Sequence, residues 1–424
     1  MTTTRETGPV LDVVGCGLGP SNLALAIALE EAGRADVAFF ERQPRFGWHR
    51  DMLLDGATMQ VSFLKDLVTL RNPTSSYSFV AYLHEAGRLT DFINSKMQHP
   101  YRSEFHAYLE WAAAKVGVQV GYGARVEAIR PVVVDDVVEY ADVVVRTEQG
   151  VTTHRARNVV IGTGLTPNLP AGVTASARVL HSEGLLGGVA ALPTQQPRRV
   201  VVVGAGQSAA EAVDFLHRRF PDAEVCAVFS RYGYSSADDN PFANRIFDPA
   251  AVDAFHTAPG TVKDSLLRYH ANTNYSVVDS ELSTELFRRQ YQEKVNGRER
   301  LRVLNTSRVQ GIHEHPGGVR LSVEHLPTGV VEALDADAVV FATGYRPVDP
   351  AALLGELGAD CKRDADGRVL LERDYRVLTS DTTRCGIYVH GAGSEHTHGI
   401  SAGLLSNTAV RAGEITRSIL DRLA

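Results

Sequence analysis

Cysteine is scarce and badly placed for chemistry: Cys16, Cys226, Cys361 and Cys385 are scattered through 424 residues with no Cys-x-x-Cys pair. That absence excludes the redox dithiol on which flavin disulfide reductases depend, and it also removes the ligand spacing of a zinc site. Isolated thiols of this kind read as small buried hydrophobes. A basic surplus is missing too. The formal net charge is −7, which argues against a nucleic-acid partner gripped through its phosphates. No apolar run approaches the length of a membrane span. The leading segment Met1–Pro9 is short and polar with no apolar core behind it, so the expected location is the cytoplasm. The hydrophobic content of 44% and charged content of 22% are ordinary for a globular protein, and 424 residues suffice for two or three domains.

What the chain does have is a pair of glycine-rich turns, each following a β-branched strand and opening a helix. The first runs Val13-Val14-Gly15-Cys16-Gly17-Leu18-Gly19-Pro20-Ser21-Asn22, and the second runs Val202-Val203-Gly204-Ala205-Gly206-Gln207-Ser208. Glycine allows the tight turn and the close approach of a pyrophosphate, which then sits on the free N–H groups at the positive end of the helix. One such match is weak evidence; two in the same context predict two dinucleotides, a flavin and a nicotinamide. Glu41 ends the second strand of the first unit, where a carboxylate accepts hydrogen bonds from a ribose with a free 2′-hydroxyl, as in FAD. The equivalent strand of the second unit ends in Ser230-Arg231. A hydroxyl and a guanidinium suit a 2′-phosphate, so the second cofactor is expected to be NADPH. The plain alternatives are a solvated strand-end glutamate and a solvated arginine.

Helices are predicted over Tyr77–Ala86, Arg102–Val116, Asp264–Tyr269, Ser283–Lys294 and Ser401–Leu423. Two small-residue turns, Gly162-Thr163-Gly164 and Ala342-Thr343-Gly344-Tyr345, follow strands and mark places where chain passes between domains or lies near the flavin. Residues 238–294 break the βαβ rhythm and read as an insertion. The expected fold is α/β, with two Rossmann-like dinucleotide domains and a smaller, mainly helical substrate-binding insertion. The boundaries are 1–195 plus 335–424 for FAD, 196–237 plus 295–334 for NADPH, and 238–294 for the insertion.

Several segments together resemble the microbial flavin-dependent N-hydroxylating monooxygenases of siderophore biosynthesis, which act on ornithine or lysine. They are Gly15–Asn22, Trp48-His49, Met59–Pro73, Gly204–Glu211, Asn240–Pro249, Thr273–Asp279, Ala342–Tyr345, His398–Ser401 and Leu404–Ser406, in one order along nearly the whole chain. Phe63-Leu64-Lys65-Asp66-Leu67 and Asn274-Tyr275 are most similar to the ornithine branch. The resemblance implies FAD- and NADPH-dependent hydroxylation of the side-chain amine of L-ornithine by molecular oxygen, through a 4a-hydroperoxyflavin. It assigns Lys65 to the substrate carboxylate and Asn244 to the backbone end of the amino acid. Asn274 goes to the amine and the nicotinamide half of the cofactor, and Leu404 and Ser406 to the segment closing over substrate and flavin. Gly15, Gly17, Gly19, Pro20, Trp48, His49, Gln60, Arg102, Gly344 and Tyr345 are implied at the flavin or between the cofactors. Gly204, Gly206, Gln207 and Ser208 are implied at the nicotinamide cofactor. The family also implies a homo-oligomer, a dimer or tetramer.

Each residue has a plainer alternative. Lys65 fits an exposed turn, Asn244 and Asn274 fit ordinary caps, and Trp48 fits a core position. His396 and His398 lack a third ligand, so no metal is expected. The fingerprint Phe-x-Gly-x-x-x-His of carbon- and sulfur-oxidising flavin monooxygenases is absent at His181–Gly188. A non-catalytic flavin-binding sensor would not need the second nucleotide site. L-Lysine or an aliphatic diamine is the alternative substrate, since one methylene is worth roughly 1–3 kcal/mol in a fitted pocket.

Overall fold

The computed structural model describes residues 9–34 and 36–424; the polar leader Met1–Gly8 lies outside the described residues. The first unit opens as its sequence predicts. β1 (Leu11–Cys16) passes through the glycine turn into α1 (Pro20–Glu31), with Pro20 at the first helical turn, where a fixed φ and a missing N–H cost nothing. Asn22 through Leu29 are all buried, because α1 is covered on one side by the sheet and on the other by the C-terminal helix. The sheet continues with β2 (Val37–Glu41), β3 (Gln119–Tyr122), β4 (Arg125–Val134), β5 (Val137–Thr147) and β6 (Gly150–Ile161), in the order β3-β2-β1-β6-β5-β4. β1 runs parallel to β2 (Val13 opposite Val37) and to β6 (Val13 opposite Asn158), whereas β4, β5 and β6 form an antiparallel meander. A strand at Gly386–Val389 also pairs in parallel with β6.

The second sheet is entirely parallel. It contains β7 (Val179–His181), β8 (Arg199–Val203), β9 (Glu224–Val228), β10 (Leu301–Leu304) and β11 (Ala338–Phe341), ordered β10-β9-β8-β11-β7. Sequence reading places residues 179–181 and 338–341 with the first domain, so the structure moves both strands across its boundaries. Each is a short, fully buried run, and such a run announces a buried strand without saying which sheet it joins. α2 (Arg102–Lys115) belongs to the first unit, and α3 (Gln207–Arg219) packs its Ala209, Val213 and Leu216 on β8 and β9. The other face of this sheet is covered by an antiparallel layer of Ser307–His315, Gly318–His325 and Val330–Ala336, through Val319, Leu321 and Leu334. Leu165–Pro167 and Tyr345–Pro347, which follow the two small-residue turns, pair antiparallel with each other.

The insertion is helical, with segments at Pro249–Thr257 and Gly260–Tyr269 followed by α4 (Ser280–Val295). Four predicted helix starts shift; the helix expected from Asp264 begins one turn earlier, at Gly260, behind Pro259. α4 begins at Ser280 because the Asp279 carboxylate caps the N–H groups of Glu281 and Leu282 at 2.8 and 3.2 Å. The helix expected from Tyr77 starts at Phe79, where Ser78 caps Ala81 at 3.1 Å. The C-terminal segment becomes a regular helix, α5 (Thr408–Leu423), only after two short 3₁₀ turns at Ile400–Gly403 and Leu405–Asn407. The four cysteines are buried and unpaired. Among the described residues no helix is long and apolar enough to cross a membrane.

Candidate active site

Both glycine turns end in helix mouths open to an anion. Gly19 caps α1 and Gly206 caps α3, each in extended conformation and with no side chain closing the first turn. Their N–H groups are therefore left to a ligand. Gly17 has φ +86°, and a Cβ there would stand 2.7 Å from the Gly162 carbonyl oxygen, so only glycine fits where the first turn crosses the end of β6. At Gly19 a Cβ would meet nothing within 4 Å, which leaves the mouth of α1 clear. These features fit a pyrophosphate at each turn. The Glu41 carboxylate is buried and accepts the N–H groups of Leu18 at 2.8 Å and Gln43 at 2.9 Å, so it fixes the turn at the end of β2. Arg231 donates through Nη1 to the Ser276 carbonyl at 2.8 Å. Its Nε and Nη2 have no hydrogen-bond partner among the described residues, a donor set that suits a 2′-phosphate.

Four rings, Trp48, His49, Tyr345 and His181, form a row of contacts. The His49 ring, half-buried, meets Trp48 at 4.8 Å and Tyr345 at 5.8 Å, and Tyr345 in turn meets His181 at 5.2 Å. Burial, with the Arg102 guanidinium nearby, pushes the His49 imidazole down to about 4, so its ring is neutral at pH 7. The His181 ring also bonds the Gly344 carbonyl at 2.9 Å. Gln60 is exposed and its amide has no partner among the described residues.

Arg102 does something the sequence does not disclose. Its guanidinium makes two hydrogen bonds to Glu211 of α3, at 2.8 and 2.7 Å, and one to the Met52 carbonyl at 3.0 Å. Glu211 also accepts from the Gln207 amide at 2.9 Å, and Gln207 accepts the Asp279 N–H at 2.8 Å. A continuous chain of bonds thus ties the first unit to the second glycine turn and on to the insertion. Ser208 lies beside it, half-buried.

Of the predicted substrate residues, Lys65, Asn244 and the Leu404–Ser406 segment lie on neighbouring elements. The Lys65 ammonium lies 5.8 Å over the ring of Phe247, in the same short turn (Ala243–Phe247) as Asn244. That turn packs on Ile400–Gly403, directly before Leu404 and the buried Ser406. Lys65 owes its position to Asp66, a residue with no assigned role in the sequence. The buried Asp66 carboxylate accepts the N–H groups of Val68, Thr69 and Phe79 at 3.0, 2.6 and 2.7 Å. The Asn244 amide donates to the Asp239 carbonyl at 2.7 Å. Asn274, half-buried, has no side-chain hydrogen bond among the described residues, and two residues on Ser276 lies against Gly206 of the second nucleotide turn. Of the paired histidines, His396 bonds the Val369 carbonyl at 2.8 Å, and His398 bonds the Arg373 carbonyl at 3.1 Å while stacking on Tyr375.

Residues 9–347 match the sequence profile of the L-lysine 6-monooxygenase/L-ornithine 5-monooxygenase family. The chain is 40% identical to an L-ornithine N(5)-monooxygenase of Burkholderia cepacia, over 93% of this chain and 90% of the relative. Its fold is similar to that of an ornithine N-hydroxylase of Kutzneria sp. 744, solved with reduced FAD, NADP+ and L-ornithine. The TM-score is 0.95 at 50% identity, covering 98% of this chain and 100% of that one. An L-lysine 6-monooxygenase of Pseudomonas syringae gives a TM-score of 0.85 at 32% identity, covering 98% of this chain and 100% of that one.

Proposed function

Because the chain belongs to the L-lysine 6-monooxygenase/L-ornithine 5-monooxygenase family, we infer that it hydroxylates the side-chain amine of L-ornithine with FAD, NADPH and molecular oxygen. The observation that supports this reading most directly is the convergence of Lys65, Asn244 and the Leu404–Ser406 segment, with Asn274 on a loop against the second nucleotide turn. Bound FAD, reduced by NADPH, supplies the activation of oxygen. The protein binds, orients and shelters. Lys65 receives the substrate carboxylate as a point charge, and Asn244 holds the backbone end. The amine must arrive without its proton, although a lysine-type ammonium ordinarily keeps it up to about pH 10.4. The Asn274 amide oxygen accepts a hydrogen bond from the neutral amine without adding charge, and desolvation by Leu404 and Ser406 favours the same form. Water kept out of this closed space limits the loss of oxygen as hydrogen peroxide.

Gly15, Gly17, Gly19, Pro20 and Glu41 hold the adenosine diphosphate half of FAD in this reading. Trp48, His49, Gln60, Gly344 and Tyr345 line its ring system. Gly204, Gly206, Gln207, Ser208 and Arg231 hold NADPH. Arg231→Ala is expected to lower the preference for NADPH over NADH by about 10- to 100-fold, the weight of a charge-assisted contact of ~1.5–3 kcal/mol. Steady-state constants with both cofactors check this, and an unchanged ratio would take Arg231 away from the 2′-phosphate.

Phe287, Tyr291 and Val295 form an exposed apolar stripe at four-residue spacing on α4, which supports self-association of the enzyme. Light scattering at micromolar concentration should give at least a dimer; a monomer mass would overturn this. Unpaired cysteines and a reduced nicotinamide cofactor suit the cytoplasm.

The deciding assay supplies FAD, NADPH and air, and measures hydroxylamine formed from ornithine, lysine, putrescine and cadaverine. Product from ornithine is expected. Product from lysine or a diamine alone would overturn the substrate, and peroxide alone with all four would overturn the reaction.

A further inference from the structure

The loop Asn274–Ser276 is held from two sides. On one side the Ser276 carbonyl accepts Arg231 Nη1 at 2.8 Å, and a Cβ on Gly206 would come within 3.5 Å of Ser276 Cα. On the other side the Tyr275 hydroxyl donates to the Glu395 carboxylate, joining the insertion to the C-terminal segment. Ser276 itself sits at φ +56°, a left-handed conformation that a serine keeps only when its surroundings enforce it. The backbone N–H groups of Asn274 and Tyr275 bond only back to Ala271 O, at 3.2 and 2.7 Å, so they shape the loop without fixing it to anything else. Glu395 forms no ion pair among the described residues, and its partner there is the Tyr275 hydroxyl; burial raises its carboxyl above the usual range. The Asn274 amide, free of side-chain bonds, is aimed only by the backbone that carries it.

We propose that Tyr275 and Glu395 form a clasp that holds Asn274 against the substrate amine, which makes Glu395 a positioning residue for N-hydroxylation. This rests on the assignment of Asn274 to the amine made above. One end of the loop is fixed by the nucleotide side through Arg231, and the clasp fixes the other end to the segment that leads into Leu404 and Ser406. The clasp is a hydrogen bond from the Tyr275 hydroxyl to a Glu395 oxygen. Loosening it lets Asn274 drift, so NADPH oxidation proceeds while less of the oxygen reaches the amine and more leaves as hydrogen peroxide.

The test compares Tyr275→Phe, Glu395→Ala, Glu395→Gln and the double variant Tyr275→Phe/Glu395→Ala with the parent holoenzyme. Peroxide per hydroxyornithine and KM for ornithine should both rise several-fold in the first two. FAD content should hold. The double variant should be no worse than the worse single one, because both remove the same bond. Glu395→Gln keeps an acceptor oxygen and should restore most of the coupling lost in Glu395→Ala. Amide hydrogen exchange over residues 271–278 should quicken in Tyr275→Phe, which deletes one oxygen atom and guards against a folding failure of the alanine variant. Unchanged coupling in Tyr275→Phe, or a Glu395→Gln variant as poor as Glu395→Ala, would overturn the clasp. A parent enzyme that makes no hydroxyornithine would instead overturn the substrate assignment.

Discussion

Lys65→Ala is expected to raise KM for L-ornithine by about 10- to 100-fold, with NADPH-driven flavin reduction in the absence of ornithine unchanged. The range follows from losing one charge-assisted contact of ~1.5–3 kcal/mol to the substrate carboxylate. The structure makes the position credible for a binding charge. Lys65 is half-buried over Phe247, its turn is pinned by the Asp66 carboxylate, and no acidic side chain of the described residues neutralises it. Lys65→Arg should recover only part of the loss, because a planar fork replaces a compact ammonium on a flexible stem. Steady-state kinetics with saturating NADPH read the effect directly. A variant with unchanged KM would remove Lys65 from the substrate site and leave it as a surface turn residue. Putrescine, which has no carboxylate, should not discriminate between Lys65→Ala and the parent.

Arg102→Ala is expected to destabilise the holoprotein by about 3–5 kcal/mol, the usual cost of stripping one partner from a buried ion pair. Both side chains are largely withdrawn from solvent, at 13% for Arg102 and 6% for Glu211, so solvent screening does not soften the loss. Glu211 would keep only the Gln207 amide, and the second nucleotide turn would lose its tie to the first unit. Urea unfolding followed by flavin fluorescence measures the first effect; a raised KM for NADPH would report the second. Removing both charges in Arg102→Met/Glu211→Leu should return part of the stability while leaving NADPH affinity impaired, since the tie between units stays broken. If the double variant were no more stable than Arg102→Ala, the stranded carboxylate would not be the cause.

Much of the site is written locally. Gly17 declares the turn before the helix mouth by spacing alone, because its left-handed φ and the Gly162 carbonyl admit no side chain, and Glu41 and Arg231 follow at strand ends that the βαβ rhythm locates. The order of motifs along the chain was enough to expect the family, both cofactors and the amine substrate. Asp66 stood in the motif beside Lys65 without a role, although an Asp that caps its own turn is a recognisable local signal. Tyr275 stands beside Asn274, but nothing near it in sequence points to a partner.

By itself, then, the sequence determined the two nucleotide units and the cofactors they call for, since each depends on a few neighbours and on backbone conformations that only certain residues allow. The tertiary structure alone decided that Val179–His181 and Ala338–Phe341 belong to the second sheet, that Arg102 serves Glu211, and that Tyr275 meets Glu395. Those partners lie 109 and 120 residues apart, and a hydrogen bond over such a distance leaves no period, spacing or composition in the chain. It exists only once the two Rossmann units and the insertion have packed, because packing brings each donor to its acceptor.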